Sequence, residues 1–103
     1  MGFLSFLFGG NKIKEALRAG AVVVDVRTPQ EYDGGKVPES TNIPVDRIAV
    51  QADRLIAMNR PIICCCASGA RSGNAVKMLK AKGKKDVYNG GSWKSVYEIL
   101  RTL

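Results

Sequence analysis

The sequence predicts an α/β fold with a central, mostly parallel sheet and helices on both faces. Short runs of β-branched and other apolar residues alternate along the chain with segments whose apolar residues recur at helical spacing. The apolar runs are not interrupted by polar residues, which is typical of parallel strands that are covered on both sides. With 103 residues and no repeat or linker, the chain has the length of a single domain.

Capping, turn and apolar residues place the elements in chain order. In the first half we expect a helix over 11–18, capped by Asn11 and stopped by Gly20, and then a strand over 21–26. A short helix follows, with Pro29 in its first turn and Glu31 at its start. An irregular connection then leads to a helix capped by Asp46. In the second half we expect a strand over 61–65, a loop over 66–71 and a helix over 72–81 that is stopped by Gly83. A strand over 86–88 follows, with a turn at Gly90 and Gly91 after it. The last helix is capped by Ser92 and ends at Leu100. This alternation predicts a parallel sheet whose strands end at one edge, where ligands bind in open α/β sheets.

The first ten residues differ from the rest of the chain. Six of the first eight are apolar, but the run is too short to span a membrane. Lysines follow this run and do not precede it, which is unlike a secretory signal. We therefore expect an apolar N-terminal tail over 1–10, which docks on the domain or on a partner without stable membrane insertion, and a folded domain over 11–103.

The composition excludes several kinds of site. The chain has no histidine, which excludes Ser-His-Asp and Cys-His nucleophilic machinery and histidine-ligated zinc. The three cysteines, Cys64, Cys65 and Cys66, are consecutive, so they are too few for a four-sulfur zinc site and too close together for a disulfide framework. We therefore expect no metal, no cofactor and a reduced, cytoplasmic protein.

The strongest signal for function is the segment 66–72, which reads CASGARS between a predicted strand and a predicted helix. The start of a helix offers unpaired N–H groups and a positive dipole end, and successive amides in a tight loop form an anion-binding nest. A cysteine beside such amides is stabilised as its thiolate, so its pKa falls below the free value of about 8.5 without a histidine base. Arg71 adds a fixed positive charge with several hydrogen-bond donors.

The position of each cysteine follows from strand geometry. Successive side chains on a strand alternate between its two faces, so we expect Cys64 and Cys65 to fill the core on opposite sides of the sheet. Cys66 lies where the strand ends, and the spacing Cys-x4-Arg from Cys66 to Arg71 encloses a ring suited to a single sulfur atom. The spacing Cys-x5-Arg from Cys65 is that of cysteine phosphatases, whose larger ring fits a phosphate.

Five stretches of the sequence resemble the motifs of the rhodanese family. They are DVRTPQEY at 25–32, GKVP at 35–38, NIP at 42–44, CASGARS at 66–72 and YNGGSW at 88–93, and the similarity spans about residues 11–102. The chain departs from the family pattern in having only Ser92 between Gly91 and Trp93, where the usual spacing is longer. Trp93 itself is expected to anchor the core. The resemblance implies a rhodanese-like domain that acts as a thiosulfate sulfurtransferase.

The resemblance also implies roles for individual residues. Cys66 would be the nucleophile, which attacks the outer sulfur of thiosulfate, releases sulfite and carries the sulfur as a persulfide. Arg71 would close the loop and favour an anionic substrate, while Asp25 and Arg27 would support the site and Glu31 would be an ion-pair partner in the same region. The backbone amides that would cradle the persulfide belong to Ala67, Ser68, Gly69, Ala70 and Ser72.

The partners implied by the resemblance are small molecules and thiols. The donor would be thiosulfate or another sulfur donor, including a protein, and the acceptor would be cyanide or a biological thiol such as thioredoxin or glutathione. Two other functions stay open on the sequence alone. One is a phosphatase or arsenate reductase of the same fold that uses Cys65, and the other is a non-catalytic rhodanese-type module that binds a partner.

The formal net charge of +7 is unevenly distributed along the chain. Residues 71–85 contain six bases and no acid, which leaves a charge of +1 for all other residues. We interpret this segment as a solvated face that also attracts a dianion or an acidic protein. No aromatic residues are interleaved with these bases, so we expect no nucleic-acid partner.

Overall fold

The computed structural model describes residues 10–103, so the tail predicted over 1–10 lies outside the described residues except for Gly10. The helices are α1 (Gly10–Arg18), α2 (Pro29–Asp33), α3 (Ile48–Ala57), α4 (Ala70–Ala81) and α5 (Trp93–Arg101), with a 3₁₀ turn at Val45–Arg47. The strands are β1 (Val22–Asp25), β2 (Thr41–Asn42), β3 (Ile62–Cys66) and β4 (Val87–Ser92). None of the described helices is long and apolar enough to cross a membrane.

The four strands form one sheet in the order β2-β1-β3-β4, and every neighbouring pair is parallel. In the central pair, Val22 is opposite Ile62 and Asp25 is opposite Cys65. Because all pairs are parallel, the carboxyl ends of the strands meet at one edge of the sheet. The predicted α/β fold with a parallel central sheet is confirmed.

Two hydrophobic clusters cover the two faces of the sheet. Every residue of β1 and β3 is buried, which explains why these runs contain no alternating polar residues. One cluster joins α3 and α4 to the sheet, and its largest buried members are Ile48, Leu55, Ile62 and Leu79. The other joins α1 and α5 to the opposite face, with Ile13, Ala16, Ile63 and Val96 among its members. Burial of each such Leu, Ile or Val side chain contributes roughly 1.5–3 kcal/mol.

Two of the predicted helix caps are wrong. Asn11 lies inside α1, because the helical backbone already includes Gly10. Asp46 makes no capping hydrogen bond, since it lies in the 3₁₀ turn that leads directly into α3. A tight turn of this kind leaves Arg47 helical, without the extended conformation that a capping residue adopts. At α2, Thr28 forms a capping box with Glu31, which the sequence analysis did not identify.

The strands and the loop after β3 differ from the predicted bounds in three places. The two-residue strand β2 was not predicted, because so short a strand has no periodicity of its own. Gly90 and Gly91 lie within β4 and do not form the predicted turn. Helix α4 begins at Ala70, so Arg71 lies in its first turn and the loop itself contains only residues 67–69.

Candidate active site

The candidate site lies at the carboxyl edge of the sheet, where β3 ends at Cys66 and α4 begins at Ala70. Gly69 makes the sharp turn between them, with a φ of 107° that side chains other than hydrogen rarely tolerate. A Cβ at this position would also lie 3.3 Å from the Cα of Gly91 in β4. The tight turn brings the first amides of α4 back onto the side chain of Cys66.

The sulfur of Cys66 is surrounded by hydrogen-bond donors. The Gly69 N–H donates to Sγ at 3.0 Å, the Ser72 N–H donates at 3.5 Å, and the Ser72 hydroxyl oxygen lies 3.4 Å away. Burial raises the pKa of the Cys66 thiol, but the hydrogen bonds from Ser72, Gly69 and Ser68 lower it by more, so the pKa lies below its ordinary value. The site can therefore hold a thiolate without a histidine.

The other two cysteines are core residues, as predicted. Cys64 belongs to the cluster under α3 and α4, whereas Cys65 belongs to the cluster on the opposite face, and both are fully buried. Burial raises the pKa of Cys64 to about 12 and raises that of Cys65 as well. The phosphatase or arsenate reductase alternative requires Cys65 in the loop, and Cys65 points to the other side of the sheet.

The charge of Arg71 is paired with that of Glu31 and is not free to face the loop. Its guanidinium donates two parallel hydrogen bonds to the carboxylate of Glu31, at 2.8 and 3.0 Å, and both side chains are about one third exposed. The pair joins the first turn of α4 to the short helix α2. The hydrogen bonds from Arg71, with help from Thr28, lower the pKa of Glu31 to about 2. The structure thus identifies Arg71 as the ion-pair partner expected for Glu31.

Asp25 and Arg27 form a buried ion pair at the end of β1. Arg27 Nη2 lies 2.7 Å from the Asp25 carboxylate, and the two side chains are at most 5 % exposed. The remaining donors of Arg27 bind the carbonyl oxygens of Glu31 and Gly35, and its guanidinium lies 4.9 Å from the ring centre of Trp93. Arg27 therefore fixes the backbone of α2, which in turn positions Glu31 beside Arg71. Neither Asp25 nor Arg27 hydrogen-bonds the sulfur or the loop.

Sequence analysis did not identify Asn89 as a residue of the site. Its Nδ2 donates to the carbonyl oxygen of Gly69 at 3.0 Å, and its Oδ1 accepts hydrogen bonds from the Ser72 hydroxyl at 2.7 Å and from the Gly91 N–H at 2.9 Å. The only sequence signal is an asparagine two residues before a glycine, the pattern of a turn in which the side chain binds its own backbone.

The described residues offer no cluster of metal ligands. Across residues 10–103, no three histidine, cysteine, aspartate or glutamate side chains are grouped so that they could hold a metal ion. The groups around the Cys66 sulfur are backbone amides, the hydroxyl of Ser72 and, behind it, the side-chain amide of Asn89.

Comparison with known proteins gives a consistent result. The model of the rhodanese-like domain family matches residues 10–98. The uncharacterized protein YqhL of Bacillus subtilis is 34% identical over 79 residues, which cover 74% of this chain and 62% of YqhL, so the chain spans less than two thirds of that relative. Thiosulfate sulfurtransferase GlpE of Pseudomonas syringae is 35% identical over 88 residues, covering 81% of this chain and 82% of GlpE. A solved structure, a rhodanese with anions from E. coli, matches with a TM-score of 0.67 at 28% identity, covering 74% of this chain and 91% of that one.

Proposed function

The chain belongs to the rhodanese-like domain family, and on that basis we propose that it is a sulfurtransferase that takes the outer sulfur of thiosulfate onto Cys66. The observation that supports this most directly is the environment of Cys66. It is the one cysteine of the three whose pKa is lowered, and its sulfur accepts hydrogen bonds from the Gly69 N–H before α4 and the Ser72 N–H in the first turn of α4. Relatives named thiosulfate sulfurtransferase support the choice of donor.

The proposed reaction has two displacement steps at sulfur. The Cys66 thiolate attacks the outer sulfur of thiosulfate, a new S–S bond forms, and the S–S bond of thiosulfate breaks so that sulfite leaves with the bonding electron pair. The terminal sulfur of the resulting persulfide is anionic, and the proposed role of the loop amides, of which those of Gly69 and Ser72 donate to Sγ of Cys66, is to stabilise this charge. Cyanide or an acceptor thiolate, such as that of thioredoxin or glutathione, then attacks the terminal sulfur and releases the Cys66 thiolate.

Intact-protein mass spectrometry after thiosulfate treatment tests the proposal. We expect the protein to gain the mass of one sulfur atom, to lose it on addition of a thiol, and to gain nothing in the Cys66→Ser variant. Cys65→Ala is the matched control, because Cys65 is a buried neighbour on the opposite face and its removal leaves the sulfur site in place. Absence of the adduct from a folded wild-type protein, or an adduct in Cys66→Ser, contradicts the proposed function.

A further inference from the structure

Strand β4 contains an irregularity beside the sulfur site. Cys64 of β3 pairs with Asn89, whereas Cys66 pairs with Ser92, so β4 has one more residue than β3 over this stretch. Gly90 and Gly91 of β4 are therefore opposite the single residue Cys65 of β3, and Gly91 adopts a φ of 78°. Bulges of this kind change the direction in which a neighbouring side chain points and occur often next to active sites.

The bulge places the Asn89 side chain between Gly69 and Ser72, two of the residues that contact the Cys66 sulfur. The Gly91 N–H binds Oδ1 of Asn89 and fixes the side chain against its own strand. The other two hydrogen bonds of Asn89 bind the carbonyl oxygen of Gly69 and the hydroxyl of Ser72. The N–H groups of both Gly69 and Ser72 donate to Sγ of Cys66.

We propose that Asn89 is a positioning residue for the sulfur site, whose side-chain amide holds the Gly69 turn and the Ser72 hydroxyl against the sulfur of Cys66. The proposal deepens the proposed function, and its consequence for sulfur transfer rests on that function. Asn89 does not touch the sulfur itself. It acts by fixing the orientation of one backbone amide and one hydroxyl that do.

The Ser72 hydroxyl has one hydrogen and two acceptors within reach. Asn89 Oδ1 lies 2.7 Å from Ser72 Oγ, and Cys66 Sγ lies 3.4 Å from it. When Cys66 is a neutral thiol, the hydroxyl donates to Asn89 and its oxygen can accept from the thiol. When Cys66 is a thiolate, the hydroxyl donates to the sulfur, and Oδ1 keeps the hydrogen bond from Gly91. In the thiolate state Asn89 no longer accepts from the hydroxyl, and it acts on the sulfur through Nδ2, which holds the Gly69 turn so that the Gly69 N–H donates to Sγ.

The test is an ultraviolet titration of the Cys66 thiolate, taken as the absorbance difference between each protein and its Cys66→Ala counterpart. We expect Asn89→Ala to shift the midpoint upward by about one pH unit, because the Gly69 N–H is no longer held toward the sulfur and its hydrogen bond to the thiolate weakens. Asn74→Ala is the matched control: Asn74 is exposed on α4 and outside this network, so its midpoint should not move. An unmoved midpoint in folded Asn89→Ala, even with reduced stability, would overturn the proposal.

Asn89→Asp provides a second test that preserves the shape of the side chain. The carboxylate still accepts from Ser72 and Gly91 but cannot donate to the Gly69 carbonyl oxygen. We expect a raised midpoint together with faster hydrogen exchange at the Gly69 amide, and the exchange result separates loss of positioning from the effect of the added charge. Protection of the Gly69 amide equal to that of the wild type would overturn the proposal.

The two proposals fail in different ways. If the wild-type protein forms no persulfide but the midpoint and the exchange rate still change in the Asn89 variants, the proposed function is wrong and the positioning role stands. If the persulfide forms at the wild-type rate in both folded Asn89 variants and the midpoint is unchanged, the positioning role is wrong and the proposed function stands.

Discussion

At the residue scale, the three adjacent cysteines occupy three different environments. Cys64 and Cys65 are buried among apolar side chains on opposite faces, and Cys66 accepts hydrogen bonds at the edge of the sheet. Strand alternation predicted this division from the sequence, because only the position of the strand end was needed. The same reasoning could not place Asn89, whose partners lie 17 and 20 residues away along the chain.

The ion pair between Glu31 and Arg71 makes a prediction about acid stability. Because the pKa of Glu31 is lowered from 4.5 to about 2, the contribution of the pair is fully present above about pH 4.5 and is lost as the pH falls through about 2. We expect the wild type to be more stable than Glu31→Gln near neutral pH and this difference to disappear between these values. Urea unfolding across this pH range measures it. In an Arg71→Ala background the Glu31→Gln substitution should show a smaller pH dependence, because only the hydrogen bonds from Thr28 then lower the pKa of Glu31. An undiminished dependence would contradict the assignment to Arg71.

Arg71 itself should matter more for turnover than for stability. Its side chain is one third exposed, and exposed ion pairs contribute only about 0.2–1 kcal/mol to the free energy of unfolding. Arg71 lies in the first turn of α4, and its proposed role is to favour the anionic substrate; loss of such a donor lowers the rate by roughly 10²-fold. Steady-state turnover of thiosulfate and thermal unfolding of Arg71→Ala test this, with the exposed Arg54→Ala of α3 as control. Equal losses in both measurements would make Arg71 a structural residue.

At the element scale, the clearest difference from the sequence-based expectation is β4. Two consecutive glycines predict a turn, yet Gly90 is buried inside a strand. Its Cα lies so close to β3 and α5 that a Cβ would be 2.6 Å from Val96 Cγ2 and 2.9 Å from Ile63 Cγ2. Here glycine is required by close packing and not by chain reversal, and local sequence cannot distinguish these two causes.

Substitution of Gly90 tests that explanation. We expect Gly90→Ala to lower the free energy of unfolding by about 1–3 kcal/mol, because the added methyl group overpacks the interface with Val96 and Ile63. Gly34→Ala is the matched control, since its Cβ would have no neighbour closer than 3.5 Å and its φ of −78° suits alanine. Its stability should be unchanged or slightly higher, by up to about 1 kcal/mol. Chemical denaturation compares the two, and equal effects would contradict the packing explanation.

At the scale of the whole molecule, the basic segment 71–85 is less strongly positive than its sequence indicates. Three of its bases face acids: Arg71 pairs with Glu31, Lys84 lies 3.0 Å from Asp86, and Lys82 lies 3.8 Å from Asp53. Lys84 is also buried, so its charge serves a local ion pair and not a solvated face. The sequence located the excess charge, but two of the three acids that offset it, Glu31 and Asp53, come from distant parts of the chain.

The remaining lysines should influence an anionic donor only at low salt. Lys80 is ten residues from the start of α4, about 15 Å along the helix axis, whereas charges in ~0.15 M salt are screened over about 8 Å. We expect a Lys77→Gln/Lys80→Gln variant to react with thiosulfate at the wild-type rate in physiological salt and more slowly in about 0.01 M salt, where screening extends to about 30 Å. Rates measured at both salt concentrations test this. A large loss at physiological salt would instead indicate direct binding by these lysines.

The all-parallel sheet also determines when the thiolate can form during protein synthesis. The central strand pair joins Val22 to Ile62, so the first strand has no partner until the second half of the chain leaves the ribosome. The sulfur site needs still more of the chain, because Asn89 belongs to the strand that is synthesised last. We therefore expect a nascent chain that ends before β4 to contain three unfolded cysteines of ordinary reactivity. Selective reactivity at Cys66 is expected only once β4 has joined the sheet.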